Sequence, residues 1–199
     1  MSYYFTNDPQ LERNRKKICF RFLGVEEHFI SDNGVFSKDT LDYGSRVLLE
    51  SVYKEKISGK ILDLGCGIGV IGILLKKYNP NLSLTMVDIN ETAVELAAQN
   101  SQLYNQNNIA IVSDGLSNID DMFDIIVSNP PIRIGKQKMY SLLLQAGDGL
   151  KKNGLMYLVI RKQQGAQSAI NFLLDNNYNA EVINKEKGYW IIKVKKDWQ

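Results

Sequence analysis

The feature that most constrains this chain is an alternation of short apolar runs and helical segments that begins at Lys60. The apolar runs predict buried strands at 61–64, 82–87, 109–112 and 123–127, joined by helices or loops. Strands connected in this way form a parallel sheet with helices on both faces, and such sheets bind ligands at the carboxyl ends of their strands. The alternation therefore predicts an α/β fold with its functional site at one edge of a sheet.

The second part of the chain continues the same pattern and closes it with a hairpin. The predicted elements are helix 138–151, strand 155–160, helix 166–176 and strands 179–184 and 189–195. Gly188 separates the last two strands, which indicates a tight connection between antiparallel neighbours. The sheet is therefore expected to have seven strands, mostly parallel, with an antiparallel C-terminal hairpin.

An N-terminal β extension is expected before this core. Apolar residues alternate with other residues from Ile18 to Phe22, and a second β-rich run follows Gly24, which together predict a short β-hairpin. A helix should come next, with Asp39 or Thr40 as its N-cap.

The composition is that of one globular domain of ordinary size. The chain has 199 residues, of which 44% are hydrophobic and 23% charged. We expect a single domain over 1–199, with the β extension in 1–36 and the ligand-binding core in 37–199. The apolar runs are too short to span a bilayer, so no membrane association is expected.

The few cysteines and the single histidine indicate the cellular compartment and exclude some kinds of catalytic site. Cys19 and Cys66 are far apart and lack a metal-ligand pattern, which is typical of a reducing environment. The start of the chain also lacks the basic flank and apolar stretch of a signal peptide, so we expect a cytoplasmic protein. A monomer is the simplest expectation for its oligomeric state. With His28 as the only histidine, neither a metal site nor a Ser-His-Asp triad is expected.

The charges are unevenly distributed along the chain. Between residues 78 and 132 there is no lysine or arginine, whereas residues 133–162 carry seven basic residues against Asp148 alone. One basic face could suit a polyanion such as RNA, although a solvated surface of mixed charge is the simpler reading.

A glycine-rich turn with carboxylates near it lies where the first buried strand meets the first helix of the core. Asp63 is followed by Gly65 and Gly67, which allow a tight turn and a close approach of the main chain to a ligand. Asp88, beside Ile89, ends the second strand, where a carboxylate can bind both ribose hydroxyls of a nucleoside. These residues predict a nucleoside-binding crevice.

The nucleoside is better explained as S-adenosylmethionine than as a dinucleotide. Asp63 would repel a pyrophosphate but can pair with the cationic amino-acid group of this cofactor. Asp114, followed by Gly115, comes after the third strand and can accept a hydrogen bond from an adenine amino group. A dinucleotide enzyme or an empty, degenerate site is the alternative.

The segment Ser-Asn-Pro-Pro at 128–131 ends the fourth strand, next to this crevice. Its prolines stiffen the loop and leave carbonyl acceptors. The side-chain oxygen of Asn129 and the carbonyl of Pro130 could then accept the two hydrogens of an exocyclic amine, with its lone pair directed at a methyl carbon. Positioning of this kind can contribute about 7–11 kcal/mol. A proline turn that merely ends a strand is the alternative.

These motifs together resemble those of the RsmC-type ribosomal RNA guanine-N2 methyltransferases, in particular the short single-domain members. The resemblance is carried by GVFSKDTLDYGS at 34–45, DLGCGIGVIG at 63–72 and SNPP at 128–131. It implies a Rossmann-like class I methyltransferase fold, S-adenosylmethionine as the cofactor, and guanine N2 of 16S rRNA in the small ribosomal subunit as the target. It further implies that Phe36, Ser37 and Leu41 help to close the cofactor pocket, and that Asn129 borders it.

One departure from the family pattern concerns the substrate side of the site. Amino-methylating relatives usually place an aromatic residue after Asn-Pro-Pro, whereas this chain has Ile132 after Pro131. Arg133 could stack on a base instead. Arg161 and Lys162, at the end of the fifth core strand, are expected to border the substrate entrance, although a solvated loop explains them equally well.

Asn-Pro-Pro chemistry is compatible with other acceptors. A protein glutamine amide or adenine N6 are enzymatic alternatives, and an RNA-binding module without catalysis is the non-enzymatic one.

Overall fold

A mostly parallel seven-stranded sheet forms the centre of the computed structural model, which describes residues 14–35 and 39–196. In chain order the strands are β1 (Lys16–Phe22), β2 (Val25–Ser31), β3 (Lys60–Leu64), β4 (Ser83–Asp88), β5 (Ile109–Val112), β6 (Phe123–Ser128), β7 (Leu150–Arg161), β8 (Tyr178–Glu186) and β9 (Tyr189–Lys196). The helices are α1 (Tyr43–Tyr53), α2 (Val70–Tyr78), α3 (Glu91–Leu103), α4 (Lys136–Asp148) and α5 (Ala166–Asp175).

The strand order is β5-β4-β3-β6-β7-β9-β8, and β9 alone among these seven runs against the others. The predicted sheet and its closing hairpin are therefore confirmed, with β9 inside the sheet and β8 at its edge. β4 and β5 lie on one side of β3, and the chain then crosses to the other side to form β6, so the order reverses between β3 and β6. A crevice forms at such a switch point, outside the carboxyl ends of the strands.

Helices cover both faces of the sheet. In β6, Ile125 and Val127 join the apolar cluster beneath α1, α2 and α3, while Ile126 joins the cluster beneath α4 and α5. Consecutive residues of the strand face opposite sides, so a continuous apolar run is what burial on both faces requires. None of the helices within the described residues is long and apolar enough to cross a membrane.

The predicted N-terminal hairpin is present as β1 and β2, and a buried carboxylate ties it to α2 and to the end of α3. Glu27 of β2 is 1% exposed and accepts hydrogen bonds from Lys77, Tyr78 and Tyr104 at 2.7–2.9 Å. A buried charge is tolerated only when it is paired in this way. Asn100 reinforces the attachment, because its side chain bonds both to the N–H and to the carbonyl of Ile30 in β2.

The start of α1 differs from the prediction. The helix begins at Tyr43, and the N-cap is Asp42, whose Oδ2 accepts a hydrogen bond from the Ser45 N–H at 3.0 Å. The predicted caps, Asp39 and Thr40, are therefore wrong by two to three residues. The segment offers three residues that favour capping, and local sequence does not choose among them.

Three potential ligand groups meet on the hairpin. Cys19, Glu26 and His28 are exposed, and their ligand atoms lie within 4.8 Å of one another. The His28 Nε2 is 3.2 Å from Glu26 Oε1. The trio belongs to the hairpin rather than to the strand ends, and the expectation of no metal site stays a prediction.

Candidate active site

The carboxyl ends of β3 and β6 lie side by side and bring the two sequence motifs together. Leu64 of β3 pairs with Ser128 of β6, and the Ser128 hydroxyl donates to the Leu64 carbonyl at 2.7 Å. The glycine turn follows Leu64 directly, and Asn-Pro-Pro follows Ser128. The two motifs therefore flank the same crevice at the switch point of the sheet.

The glycine turn is anchored to β4 and open above. The N–H groups of Gly65 and Cys66 both donate to the Val87 carbonyl at 2.9 Å. Gly65 and Gly67 have φ of +70° and +54°, and a Cβ built on either would have no heavy atom within 4 Å. Close packing therefore does not explain these two glycines. Left-handed backbone beneath open space leaves room for a ligand against the main chain.

Asp88 connects the end of β4 to this turn. One carboxylate oxygen accepts from the Gly67 N–H at 2.8 Å and the other from the Asn90 N–H at 2.9 Å. Burial raises the pKa of Asp88, and these backbone donors oppose the rise. Ile89 beside it is 42% exposed, an apolar side chain at the rim of the crevice.

Asp63 is enclosed more deeply than the sequence suggested. It is 1% exposed, and its Oδ2 accepts from the Gly72 N–H in the first turn of α2 at 2.8 Å. The N-cap of α2 is Gly69, which has no side chain, so Asp63 supplies the acceptor that the helix start lacks. Burial raises the pKa of Asp63 to about 7, and the nearby Asp88 charge adds to the rise.

The loop after β5 completes one side of the crevice. The Ser113 N–H donates to the Asp88 carbonyl at 2.9 Å, which fixes this loop beside the end of β4. Asp114 is exposed, whereas Gly115 is buried with φ of +60°. A Cβ on Gly115 would lie 2.3 Å from Oε1 of Gln145 in α4, so packing against that helix explains this glycine.

Asn129 is held by the first turn of α1. Its Nδ2 donates to Asp42 Oδ2 at 3.1 Å and to Ser45 Oγ at 2.9 Å. A carboxylate can only accept hydrogen bonds, so the amide nitrogen must face Asp42 and the Oδ1 must face away. None of the described residues donates to Asn129 Oδ1 or to the Pro130 carbonyl oxygen. Both oxygens are therefore acceptors without a donor among the described residues.

Asp42 and Ser45 are functional candidates that sequence reasoning missed. Both lie in the segment 34–45 that carries the family resemblance, but that resemblance did not predict a role for either residue. Asp42 and Ser45 form the N-cap bond of α1, but other residues in the segment also favour capping, so the sequence does not single out this pair. Its second role, holding an amide 84 to 87 residues away, is visible only in three dimensions.

The expected substrate side lies next to this amide. Pro131 and Ile132 are half-buried and Arg133 is exposed, and a short 3₁₀ turn, Ile132–Ile134, begins directly after Pro131. Arg161 and Lys162 are exposed at the end of the neighbouring strand β7. The structure thus brings all the predicted entrance residues to the same edge of the sheet.

The segment expected to close the cofactor pocket is described only in part. Phe36 and Ser37 lie outside the described residues. Leu41 is 8% exposed and belongs to the core beneath α1, directly before Asp42. Asn90, which caps α3, donates from Nδ2 to the Gly34 carbonyl at 3.0 Å and so places the start of this segment beside the end of β4.

The family model described as methyltransferase small domain matches residues 26–193. The chain belongs to this family. The methyltransferase is 40% identical to YbxB of Bacillus subtilis (strain 168) over 197 residues, 98% of each protein. It is 41% identical over 164 residues to the ribosomal RNA small subunit methyltransferase C of Haemophilus influenzae (strain Rd), which is 79% of this chain but 49% of that protein. It spans about half the length of the curated small-subunit methyltransferases C that it matches.

Solved structures show the same architecture. The T. thermophilus 16S rRNA N2 G1207 methyltransferase (RsmC), in complex with AdoMet and guanosine, matches with a TM-score of 0.80 at 24% identity, over 94% of this chain and 52% of that chain. A ribosomal protein L11 methylase from Lactobacillus delbrueckii subsp. bulgaricus matches with a TM-score of 0.69 at 19% identity, over 82% and 88% of the two chains. The predicted RsmC-type family and Rossmann-like class I methyltransferase fold are confirmed.

Because the chain belongs to this methyltransferase family, its cofactor is S-adenosylmethionine. The residues at the switch point fit it. The space above Gly65 and Gly67 is open, Asp88 lies at the end of β4, and the exposed Ile89 offers an apolar contact. A cationic group on the cofactor also suits the part of this edge beside the glycine turn, where Asp63, Asp88 and Asp114 lie at or after the ends of β3, β4 and β5.

Proposed function

We propose that this methyltransferase transfers a methyl group from S-adenosylmethionine to guanine N2 of small-subunit ribosomal RNA. The observation that carries the proposal is the fixed amide of Asn129, whose Nδ2 is bound by Asp42 and Ser45. Its Oδ1 and the Pro130 carbonyl then form a rigid pair of acceptors for an exocyclic amine.

The clamp acts by orienting the amine rather than by removing a proton from it. Asn129 Oδ1 and the Pro130 carbonyl each accept one N–H, which draws the nitrogen lone pair out of conjugation with the ring. When bound, S-adenosylmethionine supplies a methyl carbon on a sulfonium that leaves as a neutral thioether. The nitrogen carries the positive charge that develops, and the two oxygen dipoles stabilise it. Its surplus proton then passes to water, so no strong base is needed.

The cofactor assignments follow the strand ends. Asp88 would bind the ribose hydroxyls, Asp114 the adenine amino group and Ile89 the face of the adenine ring. Asp63 would act on the ammonium group from beneath the turn, since it is buried and already accepts from Gly72. Phe36, Ser37 and Leu41 would cover the cofactor.

Two findings support ribosomal RNA as the acceptor. The relatives that share about 40% identity include small-subunit rRNA methyltransferases, although they are about twice as long as this chain. Exposed Arg133, Arg161 and Lys162 lie at the same sheet edge as Asn129, where they can meet phosphates. Ile132 would pack on the base where relatives place an aromatic ring.

Product analysis tests this proposal. The protein is incubated with tritiated S-adenosylmethionine and, in separate reactions, small ribosomal subunits from cells that lack it, free 16S rRNA, DNA or release factors. The acceptors are then digested to nucleosides or amino acids. Labelled N2-methylguanosine is the expected product. Labelled N6-methyladenine or methylglutamine would show one of the alternative acceptors instead, and failure to bind S-adenosylmethionine in calorimetry would favour an RNA-binding module.

A further inference from the structure

Three lysines at one edge of the sheet are paired with aspartates, whereas two cations at the other edge are not paired with a carboxylate of the described residues. At the amino ends of the parallel strands, Lys60, Lys151 and Lys196 each form an ion pair with an aspartate at 2.7–2.8 Å. At the carboxyl ends, no ion pair to a carboxylate is formed by Arg161 or Lys187 within the part of the chain that the structure describes. Arg161 and Lys187 therefore carry charge that no described carboxylate pairs with, and the Glu186 carboxylate beside them accepts a hydrogen bond from the Tyr43 hydroxyl.

Arg161 and Lys187 each form a cation–π contact with a tyrosine ring. Arg161 ends β7 and is the cross-strand partner of Tyr189 at the start of β9, and its Cζ lies 4.7 Å from the centre of the Tyr189 ring. The Nζ of Lys187 lies 4.7 Å from the centre of the Tyr43 ring. The two rings are 5.8 Å apart. We call these four residues, Tyr43, Arg161, Lys187 and Tyr189, the cation–aromatic rim.

The rim adjoins the residues that hold the Asn129 amide. Gly44 lies between Tyr43 and Ser45 at the start of α1, and a Cβ there would lie 2.7 Å from Tyr189 Cε1 and 3.1 Å from Asp42 Oδ2. The Tyr189 ring thus packs directly on the turn that orients Asn129. Tyr189 itself is half-buried at the strand end.

Cations that lie beside exposed or half-buried aromatic rings are suited to binding single-stranded nucleic acid. Unpaired bases stack on aromatic rings and on guanidinium planes, while arginine and lysine neutralise the phosphates between them. An acidic peptide would use the charges but would have no need of the rings.

We propose that the cation–aromatic rim binds the unpaired RNA nucleotide next to the target base, with its base on Arg161 over Tyr189 and its phosphate near Lys187. This inference rests on the proposed function, because it takes RNA as the substrate. Tyr43, Lys187 and Tyr189 then take part in substrate binding together with Arg161.

Binding of a fluorescein-labelled single-stranded RNA of about ten nucleotides, followed by anisotropy, tests the rim without requiring methyl transfer. The protein is saturated with S-adenosylhomocysteine. Arg161→Gln and Tyr189→Leu are each expected to weaken binding about tenfold. Arg161→Gln should also reduce the slope of log affinity against log salt by about 0.7. Tyr189→Phe should retain near-normal binding, because it keeps the ring.

Lys152→Gln is the matched control, since it removes one exposed charge at the opposite edge of the sheet. A wild-type protein that does not bind the oligonucleotide would overturn the rim, as would equal effects of Arg161→Gln and Lys152→Gln or equally tight binding of polyglutamate. Failure of the proposed function is recognised separately, by the absence of N2-methylguanosine in the product analysis.

Discussion

Replacement of Asp42 by serine is expected to slow methyl transfer while leaving the fold intact. Serine is about as good an N-cap as aspartate, so the bond to the Ser45 N–H can be kept. The shorter hydroxyl, however, does not replace the carboxylate oxygen that lies 3.1 Å from Asn129 Nδ2. The variant therefore separates the capping role of Asp42 from its role in orienting Asn129.

The size of the effect follows from the bond that is lost. A hydrogen bond to a charged group contributes about 1.5–3 kcal/mol. If that energy fixes the Asn129 amide in its working orientation, kcat should fall roughly 10- to 100-fold, at about 1.4 kcal/mol per decade. Affinity for S-adenosylmethionine should not change, because the carboxylates expected to hold the cofactor lie at the ends of β3 and β4 and after β5, whereas Asp42 contacts Asn129 and Ser45. Ser45→Ala removes a neutral partner and should have a smaller effect.

Incorporation of tritiated methyl groups into small subunits from cells lacking the protein gives kcat and KM, and calorimetry gives cofactor affinity. A double-mutant cycle with Asn129→Ala decides the mechanism, because Asp42→Ser should add little once the amide is absent. Asp121→Ser, the same change at the opposite edge of the sheet, is the control. Additive losses, or a change in KM alone, would refute the positioning role.

Three further predictions concern the cofactor side and the hairpin. Asp88→Ala should weaken S-adenosylmethionine binding by about tenfold or more in calorimetry, through the loss of a charged hydrogen-bond partner; unchanged affinity would remove Asp88 from the pocket. Because burial raises the pKa of Asp63 to about 7 from 3.8, its contribution to stability is full below about pH 4 and is lost as the pH rises through about 7. Urea unfolding at pH 5 and pH 8 should therefore show a smaller fall in stability with rising pH for Asp63→Asn than for the wild type, and parallel pH profiles would argue against the raised pKa. Glu27→Gln should lower the free energy of unfolding in urea by about 3 kcal/mol, near the low end for a broken buried pair because Lys77 is 33% exposed. Lys60→Gln, which breaks an exposed pair, should lower it by less than about 1 kcal/mol. Similar losses in the two variants would contradict a structural role for the buried charge.

Local pattern predicted the fold well because both faces of the sheet are buried. Strand β6 (Phe123–Ser128) is a mostly apolar run that is buried on both faces, and the predicted bounds, 123–127, differ from the observed ones by one residue. The start of β7 at Leu150 was missed, because a register shift between Phe123 and Ile125 lets Leu150 pair ahead of the regular ladder. Such an irregularity depends on the partner strand and leaves no period in the sequence.

Residue types and strand ends predicted the position of the candidate site but not its supporting contacts. Asp88 and Asn129 lie at the carboxyl ends of their strands, where the alternation placed them. The bonds from Asn129 to Asp42 and Ser45, and the contact of Arg161 with Tyr189, join segments far apart in the chain. Only the packing of α1 and β9 against the strand ends creates them, so no local signal could have given them.

Single-turnover methyl transfer by Asn129→Ala, measured beside its affinity for S-adenosylmethionine, tests the amine clamp most directly. The expected result is a rate at least about 100-fold below that of the wild type with cofactor binding retained, since orientation and dipole stabilisation are lost together. A variant that transfers the methyl group at the wild-type rate would contradict the role of Asn129 in holding the amine.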